Sequence, residues 1–207
     1  MQTDNIITAV AEFSKGRYKV EIDGQFRFVL YRGELHTYHI KAEERISDEV
    51  LNEILTEILP KRAKLRSMNL LKSRTYTEHQ IREKLRQGFY PEEVIDEAVE
   101  YVKSFHYIDD RCYVKDYIVY YSESRSRGRI EQDLFKKGIS KDLIRAVYEE
   151  DLCEEKLPDE TILIENWFEK KNYNRETASY QERQKMGAFL YRKGFSLDNI
   201  EKSLSSY

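Results

Sequence analysis

The chain has 207 residues, which is enough for one domain with a substantial core or for a string of small domains. Its 35 basic and 38 acidic residues leave a net charge of −3, and this balance excludes a chain that is basic throughout. The charge is nevertheless unevenly placed, because positions 61–86 are rich in lysine and arginine whereas positions 149–160 are predominantly acidic.

The N-terminus and the two cysteines bear on where the protein works. Positions 1–10 lack the basic start and the long apolar run of a secretion signal, and no later run approaches the length of a membrane span. Cys112 and Cys153 lie far apart, without metal-ligand spacing, as expected of thiols in a reducing compartment. We therefore expect a cytoplasmic protein that makes no contact with a membrane.

The first forty residues have the pattern of a small antiparallel sheet. Positions 6–13 are apolar, and further on apolar residues alternate with charged ones on both sides of Asp23-Gly24, a strong two-residue hairpin signal. The alternation assigns Phe26, Phe28 and Leu30 to one apolar face. The pattern predicts two or three strands.

A helix should cover this sheet, because a lone hairpin is only marginally stable in water. Ser47 is a candidate N-cap for a helix whose apolar stripe runs from Val50 to Ile58. Pro60 predicts that this helix ends close to that position, since proline restricts the residue before it to an extended conformation.

The best-defined helix begins at Thr77. Thr77 and Gln80 have the spacing of a capping box, and Tyr76 before the cap can pack against Ile81 as a hydrophobic staple. Gly88 is then expected at the C-terminus of this helix, in a conformation with positive φ.

The glycines reveal an internal repeat. Gly88, Gly138 and Gly194 each follow a pair of apolar residues four positions apart, although the first copy has one residue fewer between its leucine and its glycine. Their spacings of 50 and 56 residues fit three helices per unit. The predicted fold is mainly α: three tandem three-helix repeats form an elongated, curved rod, preceded by a small N-terminal antiparallel β-hairpin or sheet and a helix. The predicted boundaries are 1–59 for the N-terminal extension and 60–108, 109–157 and 158–207 for the repeats.

Catalytic constellations are missing from the sequence. Asp109-Asp110 is a carboxylate pair, but adjacent acidic residues at a helix start usually cap the helix. The histidines are scattered: His36 and His39 fall on an expected strand or its end, His79 in the first turn of a helix, and His106 apart from the others. No glycine-rich phosphate loop or nucleophile motif is present. We therefore expect no enzymatic activity, no cofactor and no metal site.

The basic residues remain as candidates for binding. Arg125, Arg127 and Arg129 precede a predicted helix and lie close to Tyr120 and Tyr121, and arginines at a helix N-terminus can bind phosphates or carboxylates. A solvated loop is the alternative interpretation of this segment, and long cationic side chains can also simply cover a surface. With 16 tyrosines in the chain, the pattern favours a recognition surface. The candidate partner-binding or DNA-binding residues are Arg74, Arg82, Arg86, Arg125, Arg127, Arg129, Lys136, Lys137, Arg192 and Lys193.

The repeat motifs resemble those of the RecX family, whose members regulate the RecA recombinase. The resemblance extends from about Lys61 to the C-terminus, and the N-terminal hairpin is similar to the extension of longer members. It rests on positions 77–85 with Gly88-Phe89, positions 107–110 with Tyr113 and Tyr117, and positions 134–139, 182–185 and 189–196.

The resemblance implies a protein that binds along the groove of the RecA–DNA filament. It implies suppression of ATP hydrolysis, strand exchange and coprotease activity, and hence a role in homologous recombination, DNA repair and the SOS response. It also implies the RecA filament as partner, weak binding to single- or double-stranded DNA, and a monomer. The residues alone leave two alternatives: a helix-turn-helix-like DNA-binding protein without a recombinase partner, and a scaffold for an unrelated acidic protein.

Overall fold

A computed structural model of the chain describes residues 5–152 and 157–205. The fold is mostly helical with one small antiparallel sheet, which confirms the predicted fold class. The chain divides into two compact units, the first ending at Asp109 and the second beginning at Asp110. Cys153 and the acidic residues Glu154 and Glu155 lie outside the described residues.

The N-terminal region forms the predicted sheet with three strands. Strands β1 (Ile7–Ser14), β2 (Arg17–Ile22) and β3 (Gln25–Tyr31) pair antiparallel in the order β1-β2-β3. Asp23 and Gly24 have φ values of 51° and 76°, the positive values that a tight two-residue hairpin turn requires. The Asp23-Gly24 signal is thereby confirmed.

The predicted position of Phe26 on the apolar face is wrong. Val20 pairs with Phe28 but Glu21 pairs with Phe26, so the register shifts by one residue and Arg27 is the extra residue of a β-bulge. Phe28 is fully buried in the core, whereas Phe26 is turned to the opposite face and is 44% exposed. Alternation along a strand cannot reveal a bulge, because the bulge is what interrupts the alternation.

A short helix, α1 (Arg32–Thr37), follows β3 directly. His36 therefore lies in a helix, whereas the sequence pattern had predicted a strand or its end at this position. Helix α2 (Asp48–Glu53) begins as predicted at Ser47, whose hydroxyl accepts a hydrogen bond from the Val50 N–H at 3.3 Å.

The expected end of the helix near Pro60 is also wrong. A π-helical turn (Ile54–Ile58) connects α2 to α3 (Leu59–Ser73), and the chain stays helical through Pro60. Proline has no N–H and its ring crowds the carbonyl four residues earlier. Here the Leu59 N–H donates to the Ile54 carbonyl five residues earlier, which makes the turn wider than in an α-helix. This wider turn lies next to Pro60, the residue that would strain a regular α-helix.

The first repeat continues with α4 (Glu78–Arg86) and α5 (Glu92–Ser104). The predicted capping box is confirmed: the Thr77 hydroxyl accepts from the Gln80 N–H, and the Gln80 side chain accepts from the Thr77 N–H, both at 3.2 Å. The sheet and helices of this unit share one hydrophobic core. Its fully buried members include Val20, Phe28, Leu30, Ile54, Ala63, Ile81, Leu85, Ile95, Ala98, Val99 and Val102.

The prediction of positive φ at Gly88 is wrong, and the next residue explains why. Phe89 has a φ of 63°, while Gly138 and Gly194 have φ values of 83° and 91°. Each of these three residues lies four positions after the buried leucine of its repeat, which for Phe89 is Leu85. The shorter leucine–glycine spacing of the first copy therefore reflects a phenylalanine at the left-handed position, with glycine one residue early.

The second unit consists of six α-helical segments within its described residues. Their bounds are α6 (Asp110–Tyr121), α7 (Arg127–Phe135), α8 (Lys141–Ala146) extended by a π-helical turn (Val147–Asp151), α9 (Glu160–Lys171), α10 (Tyr180–Arg192) and α11 (Leu197–Leu204). Serine hydroxyls cap four of them, at Ser126, Ser140, Ser179 and Ser196. This unit has two hydrophobic clusters, one spanning α6 to α8 and one spanning α9 to α11.

Candidate partner-binding surface

In the first repeat, two of the candidate arginines are held in ion pairs. The Arg82 guanidinium contacts Glu78 at 2.8 Å and Asp96 at 2.5 Å, and Arg86 contacts Glu92 at 2.8 Å. Burial lowers the pKa of Arg82, but its hydrogen bonds to Asp96 and Glu78 outweigh burial and raise that pKa overall. The hydrogen bonds that Arg86 donates to the Glu92 and Glu83 carboxylates raise the pKa of Arg86 as well. Each of these charges is thus balanced within the repeat.

Arg74 lies apart from this network. It is exposed, and its guanidinium carbon is 4.4 Å from the centre of the Tyr76 ring, within the range of a cation–π contact. The first repeat therefore does not gather its three candidate residues around one open surface.

In the second unit, backbone atoms join the start of α7 to the end of α10. The Gly128 N–H donates to the Gly194 carbonyl at 3.2 Å, and the Ser126 hydroxyl donates to the Lys193 carbonyl at 2.6 Å. A Cβ atom on Gly128 would lie 2.5 Å from the Gly194 oxygen, closer than real Cβ atoms approach. Glycine is therefore required at Gly128 for this approach, and the approach brings α7 and α10 together.

This junction borders a cleft of about 680 Å³. Four of the ten candidate residues line it, so the structure gathers side chains that are distant in the sequence. The lining residues are Ser124, Arg125, Ser126, Arg129, Trp167, Phe189, Arg192, Lys193 and Phe195.

The cleft is positively charged. Asp133, whose side chain is 12% exposed, contacts Arg125 at 2.8 Å and Arg129 at 3.3 Å. Within residues 5–152 and 157–205, no carboxylate lies within ion-pair distance of Arg192 or Lys193. One carboxylate thus faces several cations, and the cleft can attract phosphates or carboxylates from a partner.

Aromatic rings form one wall of the cleft. The Lys193 ammonium is 4.7 Å from the centre of the half-buried Trp167 ring, and Lys170 approaches the same ring at 5.3 Å. The Phe189 ring packs edge-on against Trp167, with ring centres 5.1 Å apart. Amphipathic rings beside cations are typical of surfaces at which a few residues supply most of the binding energy.

The second repeat contains a lysine and an aromatic ring in the same arrangement as Lys193 and Trp167. Lys137 lies 5.4 Å from the Tyr117 ring, as Lys193 lies over Trp167, and each lysine immediately precedes the left-handed glycine of its repeat. Arg125 donates to the Tyr117 hydroxyl at 3.1 Å and so connects this pair to the cleft. Burial raises the pKa of Tyr117, although Arg125 opposes that shift.

Arg127 and Lys136 line a different pocket, of about 660 Å³. The Arg127 guanidinium is 4.0 Å from the Tyr148 ring centre and contacts Glu131 at 2.9 Å. Burial raises the pKa of Tyr148 to about 12, against the opposing effect of Arg127. Arg127 therefore does not share a surface with Arg125 and Arg129, although the three alternate in the sequence.

Reasoning from the sequence missed Trp167 and Phe189. The signal was available in the repeat, because Trp167 precedes the buried Phe168 as Tyr117 precedes the buried Ile118. Across the described ranges no group of histidine, cysteine and acidic side chains is arranged to hold a metal ion. In the same ranges no helix is long and apolar enough to cross a bilayer.

These features define a helical-repeat protein with a small N-terminal sheet and a cationic, aromatic cleft. The family described as "RecX, first three-helix domain" matches residues 63–101, and "RecX, third three-helix domain" matches residues 160–204. The chain belongs to the RecX family.

Relatives support this assignment over nearly the whole chain. The chain is 33% identical over 202 residues to "Regulatory protein RecX" of Caldanaerobacter subterraneus subsp. tengcongensis, covering 97% of this chain and 98% of that protein. It is 30% identical over 190 residues to the protein of the same name from Clostridium perfringens strain SM101, covering 88% and 85%.

Two solved structures share the fold. One, described as the crystal structure of regulatory protein RecX, has a TM-score of 0.60 at 24% identity and covers 96% of this chain and 98% of its own. The other, RecX from Lactobacillus salivarius, has a TM-score of 0.57 at 21% identity and covers 71% and 95%. The chain is thus a member of a family of regulatory proteins.

Proposed function

We propose that this chain binds the RecA–DNA filament and inhibits its ATP hydrolysis, strand exchange and coprotease activity. The observation that carries the proposal is the cleft of the second unit, which combines Arg125, Arg129, Arg192 and Lys193 with the Trp167 ring. A nucleoprotein filament offers phosphates and acidic side chains, and both are complementary to this cleft. Membership of a family whose relatives are named regulatory proteins supports the same role.

The mechanism needs no chemistry by this chain. A protein that binds only one conformation of a filament shifts the filament toward that conformation by its differential affinity. If the bound conformation hydrolyses ATP slowly, hydrolysis falls in proportion to occupancy, and strand exchange falls with it.

The test is to titrate the protein into RecA ATPase assays on single-stranded DNA. We expect inhibition that saturates, and tight binding only when both RecA and nucleotide are present. Binding to naked DNA with a steep salt dependence, and no effect on hydrolysis, would instead indicate a DNA-binding protein without a recombinase partner.

A matched pair of variants connects the inhibition to the cleft. Lys193→Glu reverses a charge in the cleft, whereas Lys202→Glu makes the same change at an exposed position of α11. We expect Lys193→Glu to weaken inhibition about tenfold, equivalent to about 1.4 kcal/mol. Lys202→Glu should remain within about twofold of the unchanged protein, because isolated exposed substitutions have small effects.

A further inference from the structure

The outer face of the N-terminal sheet carries a cluster of phenylalanines. The Phe89 ring lies 5.2 Å from the Phe13 ring and 5.9 Å from the Phe26 ring, both in edge-on geometry. Phe13 is 37% exposed and Phe26 is 44% exposed. The bulge at Arg27 places Phe26 here, away from the hydrophobic core, so this face presents aromatic surface to solvent.

Cations surround the same rings. The Lys19 ammonium lies 4.3 Å from the centre of Phe89 and 5.4 Å from that of Phe13, and the Arg17 guanidinium lies 4.8 Å from Phe13. The exposed Arg27 follows Phe26. We name the set of Phe13, Arg17, Lys19, Phe26, Arg27 and Phe89 the sheet patch.

The cations of the sheet patch keep their positive charge uncompensated. Among the residues that the structure describes, Arg17, Lys19 and Arg27 form no ion pair, in contrast to Arg82 and Arg86 of the same unit. Glu21 shares the face by its register opposite Phe26, and it forms no ion pair with them either. The net charge of the sheet patch is therefore positive, which suits a partner that carries negative charge.

The backbone at Phe89 indicates that its ring is needed. Its φ of 63° is a left-handed conformation, which the other two repeats reach with Gly138 and Gly194. A residue with a side chain is strained there, so a large ring at this position persists only where the surroundings hold it. The contacts that hold it are with Phe13, Phe26 and Lys19 of the sheet.

We propose that the sheet patch binds single-stranded nucleic acid. Bases can stack on the partly exposed Phe13 and Phe26 rings, and phosphates can pair with Arg17 and Arg27. A sheet face with aromatic side chains and nearby cations is a recurrent platform for unstacked bases. This binding requires no recombinase and lies in the first unit, so it goes beyond the filament-binding role proposed for the cleft.

An acidic protein segment is the alternative partner for the sheet patch. The phenylalanine rings distinguish it from single-stranded nucleic acid. An acidic peptide would gain its energy from the cations, and loss of the Phe26 ring would matter little. A nucleic acid strand would use both kinds of group. The phosphate contacts would appear in the salt dependence, whereas base stacking would not.

The experiment measures binding of the full chain to a fluorescein-labelled oligothymidylate by anisotropy, without recombinase, over a range of salt concentrations. Phe26→Ala should weaken binding about fivefold and leave the slope of log K against log salt unchanged. Arg27→Gln should weaken binding and reduce the magnitude of that slope by about 0.7. Phe135→Ala and Arg145→Gln, at exposed positions of the second unit, are the matched controls and should behave as the unchanged protein.

Phe13→Ala provides a second ring variant, and thermal melting confirms that each variant is folded. The proposal is overturned if neither ring variant weakens oligothymidylate binding, or if poly-glutamate of equal charge competes equally and binds independently of Phe26. If the unchanged protein binds oligothymidylate but does not inhibit RecA ATP hydrolysis, the result counts against the filament-binding role alone. The reverse result, intact inhibition without oligothymidylate binding, would count against the sheet patch alone.

Discussion

The first repeat and the cleft of the second unit place their basic side chains in different surroundings. Arg82 and Arg86 are tied to carboxylates of their own repeat, at distances of 2.5–2.8 Å. At the cleft of the second unit one half-buried carboxylate, Asp133, faces Arg125 and Arg129, while Lys193 lies over an aromatic ring. Basic composition alone therefore does not mark a binding surface; the placement of the acidic residues decides whether the charge is available to a partner.

The largest effect on stability is expected at the backbone contact between Gly128 and Gly194 in the second unit. Gly128→Ala would place a Cβ atom 2.5 Å from the Gly194 carbonyl oxygen, and backbone atoms cannot rotate away from the clash. We expect a loss of about 2–3 kcal/mol in unfolding free energy, measured by urea denaturation with the fluorescence of Trp167, the chain's one tryptophan.

Gly187→Ala is the matched control for that substitution. Gly187 lies inside α10, and an added Cβ would contact the Leu204 Cδ1 atom at an ordinary 3.4 Å. It should stabilise the helix by up to about 1 kcal/mol, because alanine is the better helix former. If Gly128→Ala and Gly187→Ala gave the same stability, the glycine junction beside the cleft would not exist as described.

The next largest effect on stability is expected at the position with positive φ that follows the buried leucine of each repeat. Substitutions there compare the repeats directly. Gly138→Val should lose about 1 kcal/mol or more, because its φ of 83° favours glycine. At the equivalent position of the first repeat, Phe89→Gly should be more stable than Phe89→Ala by about 1 kcal/mol, since both lose the ring but only alanine keeps the strain. Thermal melting of the three variants measures this. Equal stability of the two Phe89 variants would contradict the assigned equivalence.

The smallest effect concerns the ion pairs of the first repeat. Burial raises the pKa of Glu78, but Arg82 and Lys103 outweigh burial and lower that pKa overall. A lowered folded-state pKa adds stability that is present above the unfolded-state value of about 4.3 and is lost as the pH falls through the folded-state value. Glu78→Gln should therefore reduce stability at pH 7 and flatten the decline below about pH 4.5, as followed by urea denaturation at several pH values. An unchanged pH profile would mean that this network contributes nothing.

Local signals in the sequence predicted two helix starts and the hairpin. The Thr77 box, the Ser47 cap and the Asp23-Gly24 turn depend on neighbouring residues only, and all three are confirmed. The errors at Phe26 and Pro60 share a cause, since a bulge or a π-helical turn adds one residue to a regular pattern without a compositional mark. Tertiary packing selects such irregularities.

The cleft was harder to predict than the fold. Arg125 and Lys193 are 68 positions apart in the sequence, and the contact between Gly128 and Gly194 that brings their segments together has no local signature. Trp167 occupies the position in its repeat that Tyr117 occupies in the second repeat, and only a comparison of the repeats could have indicated it as a site residue. The ion pair between Arg82 and Asp96 was likewise hidden, because Asp96 lies on the following helix, whereas the pair with Glu78 has the local spacing of four residues.

The most direct test of the account compares two pairs of substitutions that change the charge equally. Arg192→Gln with Lys193→Gln removes two positive charges at the cleft, and Lys84→Gln with Arg86→Gln removes two from the first repeat. Both double variants are titrated into RecA ATPase assays on single-stranded DNA. We expect inhibition to weaken at least about tenfold for the cleft pair and to change less than about twofold for the first-repeat pair. Equal inhibition by both, or a larger loss for the first-repeat pair, would contradict it.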